Sequence, residues 1–187
     1  MSMQVSAQTT PAPTPIPDAF REPRPCNLPD QPPILGLSVW NANLWPGGVV
    51  PYEFDANATA NQQSAMRLAM DVIEAAAFVH FVVRSGQPNY LHIQNSTGNS
   101  SFVGMIGGGQ VVNIFNWNFR FIMCHELMHA LGVWHEQQRP DRDQYITVNY
   151  ANIQPGYAHA NFDIQAGTTP QGEYDFDSVM HYGVCAL

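Results

Sequence analysis

Lysine is absent from this chain, and charged residues of every kind are scarce. Of the 187 residues, seven are arginine and fifteen are Asp or Glu, which gives a formal net charge of −8 at pH 7. Proteins that bind the phosphates of nucleic acid need the opposite balance, because their affinity comes from positive side chains that release counterions. The sequence also lacks an apolar run long enough to cross a bilayer, about eighteen residues. We therefore expect neither nucleic acid nor a membrane among the partners.

Cysteine is rare as well. The chain contains three, and an odd number cannot be fully paired within one chain, so at least one thiol is free, bound to a metal or paired with another chain. Residues 1–10 lack the basic and apolar stretches of a signal peptide, so we expect none in the sequence as given. Apolar residues nevertheless make up 45% of the chain, which predicts one folded domain of ordinary size.

Proline separates the chain into two regions. Nine of the fifteen prolines lie between Pro11 and Pro33, where the sequence has no helical or strand periodicity. Such a composition is typical of extended chain, so residues 1–33 are predicted to be a tail or a pro-segment. Residues 34–187 are predicted to form the folded domain.

Strand-like and helix-like segments alternate in the second region. Thr59 and Gln62 have the spacing of a capping box, and apolar residues then recur every three or four positions as far as Ala77, which predicts a helix that backs a sheet. A second helix is predicted over 119–134, with Gly132 near its end. Strands are predicted at 49–54, 78–84, 90–94 and 110–115.

The second predicted helix carries a group of metal-ligand residues. His125 and His129 are four residues apart, so on a helix they project from one face about one turn apart and can reach one ion. Gly132 follows, and a glycine can adopt the left-handed conformation that lets the chain turn and bring His135 to the same ion. Three neutral imidazoles with an open fourth position form a catalytic zinc site, whereas structural zinc is normally closed by four protein ligands. We expect one Zn²⁺ per chain.

Two other classes of protein compete with a zinc enzyme. One is a zinc-containing binding or toxin-like module without proteolytic activity, which the presence of Glu126 beside the first ligand disfavours. The other is a non-catalytic zinc domain, in which Cys26 would be a permanent fourth ligand.

Three segments resemble the astacin family of metzincin endopeptidases. The longest, HELMHALGVWHEQQRPDRD at 125–143, is similar to the extended zinc motif of that family, and its part beyond the third histidine favours astacins over other metzincins. SVMHY at 178–182 is similar to the family's Met-turn, and LWPGGVVPY at 44–52 is similar to the start of its mature domain. The resemblance extends over about 34–183.

The resemblance implies an α+β zincin fold and a secreted, extracellular zinc endopeptidase. In that fold a mixed twisted sheet, a backing helix and the active-site helix form an upper subdomain, here about 34–135. The lower subdomain, here about 136–187, is mostly irregular. The substrate is a protein or peptide, and an extended one would pair with the edge strand of the sheet above the zinc. We expect a monomer.

The resemblance also implies roles for single residues. Glu126 is the general base and then the general acid of peptide hydrolysis. Tyr182 is a fifth zinc ligand that swings away to stabilise the oxyanion, and Met180 forms an apolar floor beneath the metal. The amino group that activation creates is buried against Glu136.

The cysteines depart from the family pattern. The two disulfides typical of astacins have no matching cysteines here, and the segment that normally follows the Met-turn is not part of this sequence. Cys124 and Cys185 are each interpreted as a small packing residue or an unpaired thiol.

Cys26 lies in a segment similar to an inhibitory motif of another family. The blocking F-x-G-D motif of astacin pro-segments has no match near Phe20, whereas RPCNLPD at 24–30 loosely resembles the cysteine switch of matrix metalloproteinases. A thiolate is a strong zinc ligand and would displace the catalytic water. We therefore expect a latent zymogen with Cys26 as the fourth ligand, until an activating protease removes residues up to about 33. The alternatives are an unbound Cys26 in a mobile tail, or Asp18 or Asp30 as the blocking ligand.

Overall fold

The structure of the chain, a computed structural model, describes residues 44–153, 156 and 161–183. The predicted pro-segment with Cys26, Asp18 and Asp30 falls outside them, as does Cys185. Among the described residues, no helix combines the length and the hydropathy of a transmembrane span. Their strands and α-helices follow in the order β1 (Val49–Phe54), α1 (Ala60–Ala76), β2 (His80–Val83), β3 (Tyr90–Asn95), β4 (Ser100–Ser101), β5 (Gly109–Ile114) and α2 (Arg120–Ala130).

The strands form one mixed sheet in the order β2-β1-β3-β5-β4. β1 pairs in parallel with β2 and with β3, and β3 pairs in parallel with β5. β4 runs antiparallel to β5 and lies at the end of the sheet. The predicted strands are confirmed apart from their ends, whereas β4 is not predicted because a two-residue strand has no periodic pattern of its own. The mixed sheet with two helices confirms the α+β prediction.

Helix α1 begins where the capping box predicts. The backbone N–H of Thr59 donates to the side-chain oxygen of Gln62 (2.8 Å), and the backbone N–H of Gln62 donates to the Thr59 hydroxyl (3.4 Å). From there one face of α1 is buried, and its side chains join those of the strands in one apolar core. α1 is therefore the backing helix of the sheet. Its buried residues are Met66, Ala69, Met70 and Ile73.

Helix α2 ends four residues earlier than predicted, at Ala130. The N–H groups of Gly132 and Val133 donate back to the carbonyl oxygens of His129 (2.8 Å) and Met128 (3.0 Å). This pair of bonds is a Schellman cap, which needs a residue of positive φ at its turn. Gly132 has a φ of 104°. The extent to 134 is wrong because the chain leaves the helix axis at the glycine rather than beyond it.

Arginine side chains organise the irregular chain that follows α2. The buried guanidinium of Arg142 donates to the carbonyl oxygens of Gln137 (2.8 Å) and Phe162 (2.7 Å). Arg139 donates to three successive carbonyl oxygens at 171–173. Hydrogen bonds to the backbone thus replace a sheet in this part of the fold. Regular structure in the described residues beyond α2 includes short 3₁₀ helices at Glu136–Gln138, Arg142–Gln144 and Tyr150–Asn152.

Candidate metal centre

Three imidazole rings converge at the end of α2. The Nε2 atom of His135 lies 3.1 Å from Nε2 of His129 and 3.3 Å from Nε2 of His125. Side chains that can bind a metal are those of His, Cys, Asp and Glu. Among the described residues, the cluster of three such side chains with all ligand atoms within 4.8 Å of one another consists of these histidines. The structure therefore brings together the three residues that the sequence spacing selects.

The outer nitrogen of each ring contacts an oxygen. Nδ1 of His125 lies 2.7 Å from the carbonyl oxygen of Val179, and Nδ1 of His129 lies 2.8 Å from that of Val133. Nδ1 of His135 lies 3.0 Å from the side-chain oxygen of Gln138. These oxygens can only accept, so each Nδ1 carries the hydrogen and a neutral ring keeps its lone pair on Nε2. Such outer bonds fix the orientation of metal-binding imidazoles.

Burial keeps the rings neutral. The three histidines are 7%, 0% and 1% exposed in chain order. Loss of hydration lowers the pKa of His125 to about 4 and lowers the pKa values of His129 and His135 well below the usual histidine value. All three are therefore in the ligand-competent form at neutral pH.

The spacing of the nitrogens fits zinc. Two nitrogens bound to one tetrahedral zinc, at about 2.0–2.1 Å each, lie about 3.3 Å apart. The observed separations of 3.1 and 3.3 Å agree with that value. Converging lone pairs at this distance repel one another unless a cation lies between them. The donor set of three imidazoles is the one that catalytic zinc uses when a fourth position stays open.

The local sequence explains how the ligands meet. His125 and His129 lie one turn apart on α2, and the Schellman cap then reverses the chain direction within a few residues. Gly132 tolerates the positive φ that this reversal needs, because it has no Cβ. His135 is brought back to the same point as a result.

The segment at 178–182, the Met-turn, packs against the ligand-bearing elements. Besides the Val179 carbonyl oxygen, the carbonyl oxygen of Met180 accepts a hydrogen bond from the Glu136 N–H (2.9 Å). Met180 is 1% exposed. The Met-turn thus contacts both the first ligand and the chain directly after the third.

Glu126 and Tyr182 lie in the same buried region. Glu126 follows His125 on α2 and is 0% exposed. The Tyr182 ring lies 4.5 Å from the His135 ring between centroids, and its hydroxyl donates to the side-chain oxygen of Asn161 (3.0 Å). Tyr182 therefore lies beside the imidazole cluster, and Glu126 is buried next to His125 on the same helix.

Glu136, the residue after His135, lines a cavity of about 350 Å³ together with Met128, Val133 and Met180. Its Oε1 atom accepts hydrogen bonds from the Arg139 guanidinium (2.9 Å) and from the backbone N–H of Asp175 (3.0 Å).

Four residues of this region are not predicted from the sequence. The two glutamines that follow Glu136, two and three positions after His135, give a weak signal, since amides close to a ligand can orient it. Val179 acts through its backbone, which no side-chain pattern reveals. Asn161 lies 21 residues from its partner Tyr182 in a segment without periodicity. The four are Gln137, Gln138, Asn161 and Val179.

Comparison with known sequences gives a family and a set of relatives. The family described as Astacin (Peptidase family M12A) matches residues 38–187. Tolloid-like protein 2 of Homo sapiens is 42% identical over 144 residues, which cover 74% of this chain and 14% of that protein. Zinc metalloproteinase nas-6 of Caenorhabditis elegans is 38% identical over 170 residues, which cover 89% and 49% respectively. The chain thus spans between 14% and 49% of the length of these two relatives.

Comparison with solved structures gives the same fold. High choriolytic enzyme 1, a hatching enzyme zinc-protease from Oryzias latipes (medaka), is similar with a TM-score of 0.64 and 33% identity, over 72% of this chain and 68% of that chain. Myroilysin is similar with a TM-score of 0.57 at 19% identity, a likeness of fold alone.

Proposed function

Because the chain belongs to the astacin family of zinc peptidases, we propose that it is an endopeptidase that hydrolyses peptide bonds with a metal-activated water. The observation that carries the proposal is the convergence of three neutral imidazoles, 3.1 and 3.3 Å apart, beside a buried glutamate on the same helix. Its substrates are proteins or peptides.

Glu126 is the proposed proton carrier. Zinc would be held by His125, His129 and His135, where it would polarise the scissile carbonyl and lower the pKa of the attacking water towards roughly 7. The Glu126 carboxylate takes the proton of that water as it attacks and delivers it to the leaving amine. Its complete burial supports this role, because a carboxylate that is shielded from bulk water does not lose the proton to solvent.

Tyr182 is proposed to stabilise the oxyanion. The centroid of its ring lies 4.5 Å from that of the His135 ring, and Tyr182 is only 5% exposed. A donor aimed at the developing charge contributes about 10²–10³-fold to the rate. The role of fifth zinc ligand is proposed for the Tyr182 hydroxyl oxygen, and Met180 is proposed as the apolar floor of the site.

The outer strand β4 is the proposed substrate-binding edge. It lies at the end of the sheet, and the N–H of Gly104, three residues after β4, donates to the carbonyl oxygen of His129 (2.8 Å). This bond fixes the chain after the edge strand relative to a zinc ligand. An extended peptide that adds to β4 by backbone hydrogen bonds would be positioned by that contact.

Latency is proposed to come from residues 1–33. Cys26 would supply a thiolate to the fourth position of the zinc and so exclude water. The support is the similarity of RPCNLPD to a cysteine-switch motif and the open position that three imidazoles leave. Cys26→Ala should then yield a chain that is active without proteolysis.

Activation is proposed to end with an amino group beside Glu136. A protease removes residues up to about 33, and the new terminus enters the cavity of about 350 Å³ that Glu136 lines. Sequencing the first residues of the active form tests this, because a start well beyond Trp40 would contradict it. Secretion to the extracellular space and a monomeric state are part of the same proposal.

The decisive experiment combines metal analysis with hydrolysis. We expect one zinc per chain and casein cleavage that appears after limited proteolysis and disappears with a chelator. Zinc without cleavage after trimming would indicate a binding module. Zinc that is lost when the first 33 residues are removed would indicate a structural site closed by Cys26.

A further inference from the structure

Two buried amide side chains hold Tyr182 at both of its ends. The side-chain oxygen of Gln137 accepts from the backbone N–H of Tyr182 (3.0 Å). The Tyr182 hydroxyl donates to the side-chain oxygen of Asn161 (3.0 Å). The amide nitrogen of Gln137 donates in turn to the backbone carbonyl oxygen of Asn161 (3.2 Å). Gln137 and Asn161 are each 1% exposed, so solvent does not compete for these bonds.

The two bonds to Tyr182 have different consequences. The backbone bond to Gln137 can persist while the side chain rotates about its own bonds. The hydroxyl bond cannot persist if the hydroxyl turns towards another acceptor. A phenol has a single O–H, so a proton donated to Asn161 is not donated at the same time to a substrate oxygen.

We propose that Asn161 is a positioning residue that restrains Tyr182, because its side-chain oxygen competes with the substrate oxyanion for the one hydroxyl proton. This inference rests on the proposed peptidase function and on the role of Tyr182 within it. The ring contacts fit a restrained side chain: the His135 ring lies 4.5 Å away, and the Phe162 ring lies edge-on at 5.8 Å. The hydroxyl is therefore the part of Tyr182 whose partner changes during the reaction.

Two substitutions of Asn161 should change kcat in opposite directions. Asn161→Leu keeps the branched shape of the side chain and removes the competing acceptor, so release of the hydroxyl becomes easier and kcat rises roughly two- to tenfold. Asn161→Asp supplies a charged acceptor, whose hydrogen bond is about twice as strong, so kcat falls. KM should change little in both, because Asn161 acts on the hydroxyl only in the chemical step. A merely structural role would lower kcat in both variants.

Three controls assign the effect to the hydroxyl. In a Tyr182→Phe background, both Asn161 substitutions should leave kcat at the level of Tyr182→Phe alone. Tyr150→Phe removes another hydroxyl that contacts the same segment, at the Phe162 carbonyl oxygen and Asp163, and should leave kcat unchanged. In the metal-free chain labelled with 3-fluorotyrosine, the ¹⁹F resonance that Tyr182→Phe removes should shift in Asn161→Leu.

The results separate this inference from the proposed function. An activated wild-type chain that binds zinc but cleaves no casein would refute the peptidase function itself. If the wild type cleaves and both Asn161 variants move kcat in the same direction, or keep their effects without the Tyr182 hydroxyl, the restraint is refuted alone. An unshifted ¹⁹F resonance also refutes it. Should Asn161→Leu not fold, Asn161→Asp decides: its kcat should fall when the Tyr182 hydroxyl is present and should not fall further in the Tyr182→Phe background, whereas a fall in both backgrounds refutes the restraint.

Discussion

The Nδ1 atom of His125 lies 2.7 Å from the carbonyl oxygen of Val179, although the two residues are 54 positions apart. The N–H of Glu136 reaches the same turn at the carbonyl oxygen of Met180 (2.9 Å). The Met-turn therefore orients the first zinc ligand and anchors the chain next to the third. Both of these contacts are made through backbone oxygens, so they depend on the backbone geometry of the turn rather than on its side chains.

Glu126→Gln should abolish hydrolysis and retain zinc. The amide has the same shape and cannot take a proton, so the rate should fall by about 10²–10⁴-fold. Casein turnover and zinc content of the same preparation measure the two effects. The matched control is Glu53→Gln on β1, which carries the same exchange on a residue paired with Arg84 and His92. Activity that survives Glu126→Gln would contradict the mechanism.

Gln138→Leu should weaken zinc binding without removing a ligand. Its side-chain oxygen is the partner of His135 Nδ1 at 3.0 Å, and loss of such an outer partner lowers metal affinity about 10–100-fold. Competition with a chromophoric chelator measures the affinity. Gln144→Leu, an exposed glutamine in the same region, is the control. Equal affinities for the two variants would show that Gln138 does not orient the ring.

Gly132→Ala should lower both stability and zinc affinity. A residue with a Cβ at a φ of 104° costs about 1–3 kcal/mol of the free energy of unfolding, and any relaxation of the turn displaces His135. Gly98→Ala is the control, because no atom lies within 4 Å of a Cβ placed there. Urea unfolding and zinc titration check the two effects. If Gly132→Ala had the stability and the zinc affinity of the wild type, the Schellman cap would not be what brings His135 back to the other ligands.

Arg139→Leu should destabilise the fold far more than Arg67→Leu. The Arg139 side chain is 10% exposed and pairs with Glu136 and Asp141, so its loss leaves buried charge and costs about 3–5 kcal/mol. Arg67 pairs with two carboxylates on α1 at 31% exposure, where a pair contributes up to about 1 kcal/mol. Urea midpoints compare the two. If the two variants lost equal amounts of stability, the Arg139 contacts would not be the principal stabilising bonds of the chain after α2.

Asp141→Asn should have an effect that depends on pH. The hydrogen bond from Arg139 holds the pKa of the Asp141 carboxyl below its usual value. Such a group stabilises the fold above its unfolded pKa of about 3.9, and this stabilisation is lost as the pH falls through the lower folded pKa. The urea midpoint of Asp141→Asn should thus lie below that of the wild type at neutral pH, and the gap should narrow below about pH 4. A gap independent of pH would refute the pairing.

The ligand set is predictable because it depends on local geometry. The spacing of His125, His129 and His135 around Gly132 needs only a helix and a turn to converge, and the structure confirms the cluster. The capping box at Thr59 fixes the start of α1 in the same local way. The predicted roles of Glu126 and Tyr182 remain proposals.

The partners that orient the ligands are not predictable in this way. Val179 and Asn161 reach the site through contacts between segments that are distant in sequence, and the pattern of either segment carries no sign of the other. The end of α2 is misplaced because periodicity continues past the glycine at which the backbone turns. Strand β4 is missed because its pairing with β5, rather than its own two residues, makes it a strand.

The reliance of the chain after α2 on guanidinium-to-carbonyl bonds has a thermal consequence. Among the described residues, the apolar core cluster includes none beyond Leu131. The heat capacity increment of unfolding grows with exposed apolar area and shrinks with exposed polar area. Local opening of the described residues from 136 to 153 and from 161 to 183 should therefore have a small heat capacity increment, so the stability of these segments should decline almost linearly on warming. The stability of the sheet and its two helices, by contrast, should follow a curve with temperature and should also decline in the cold.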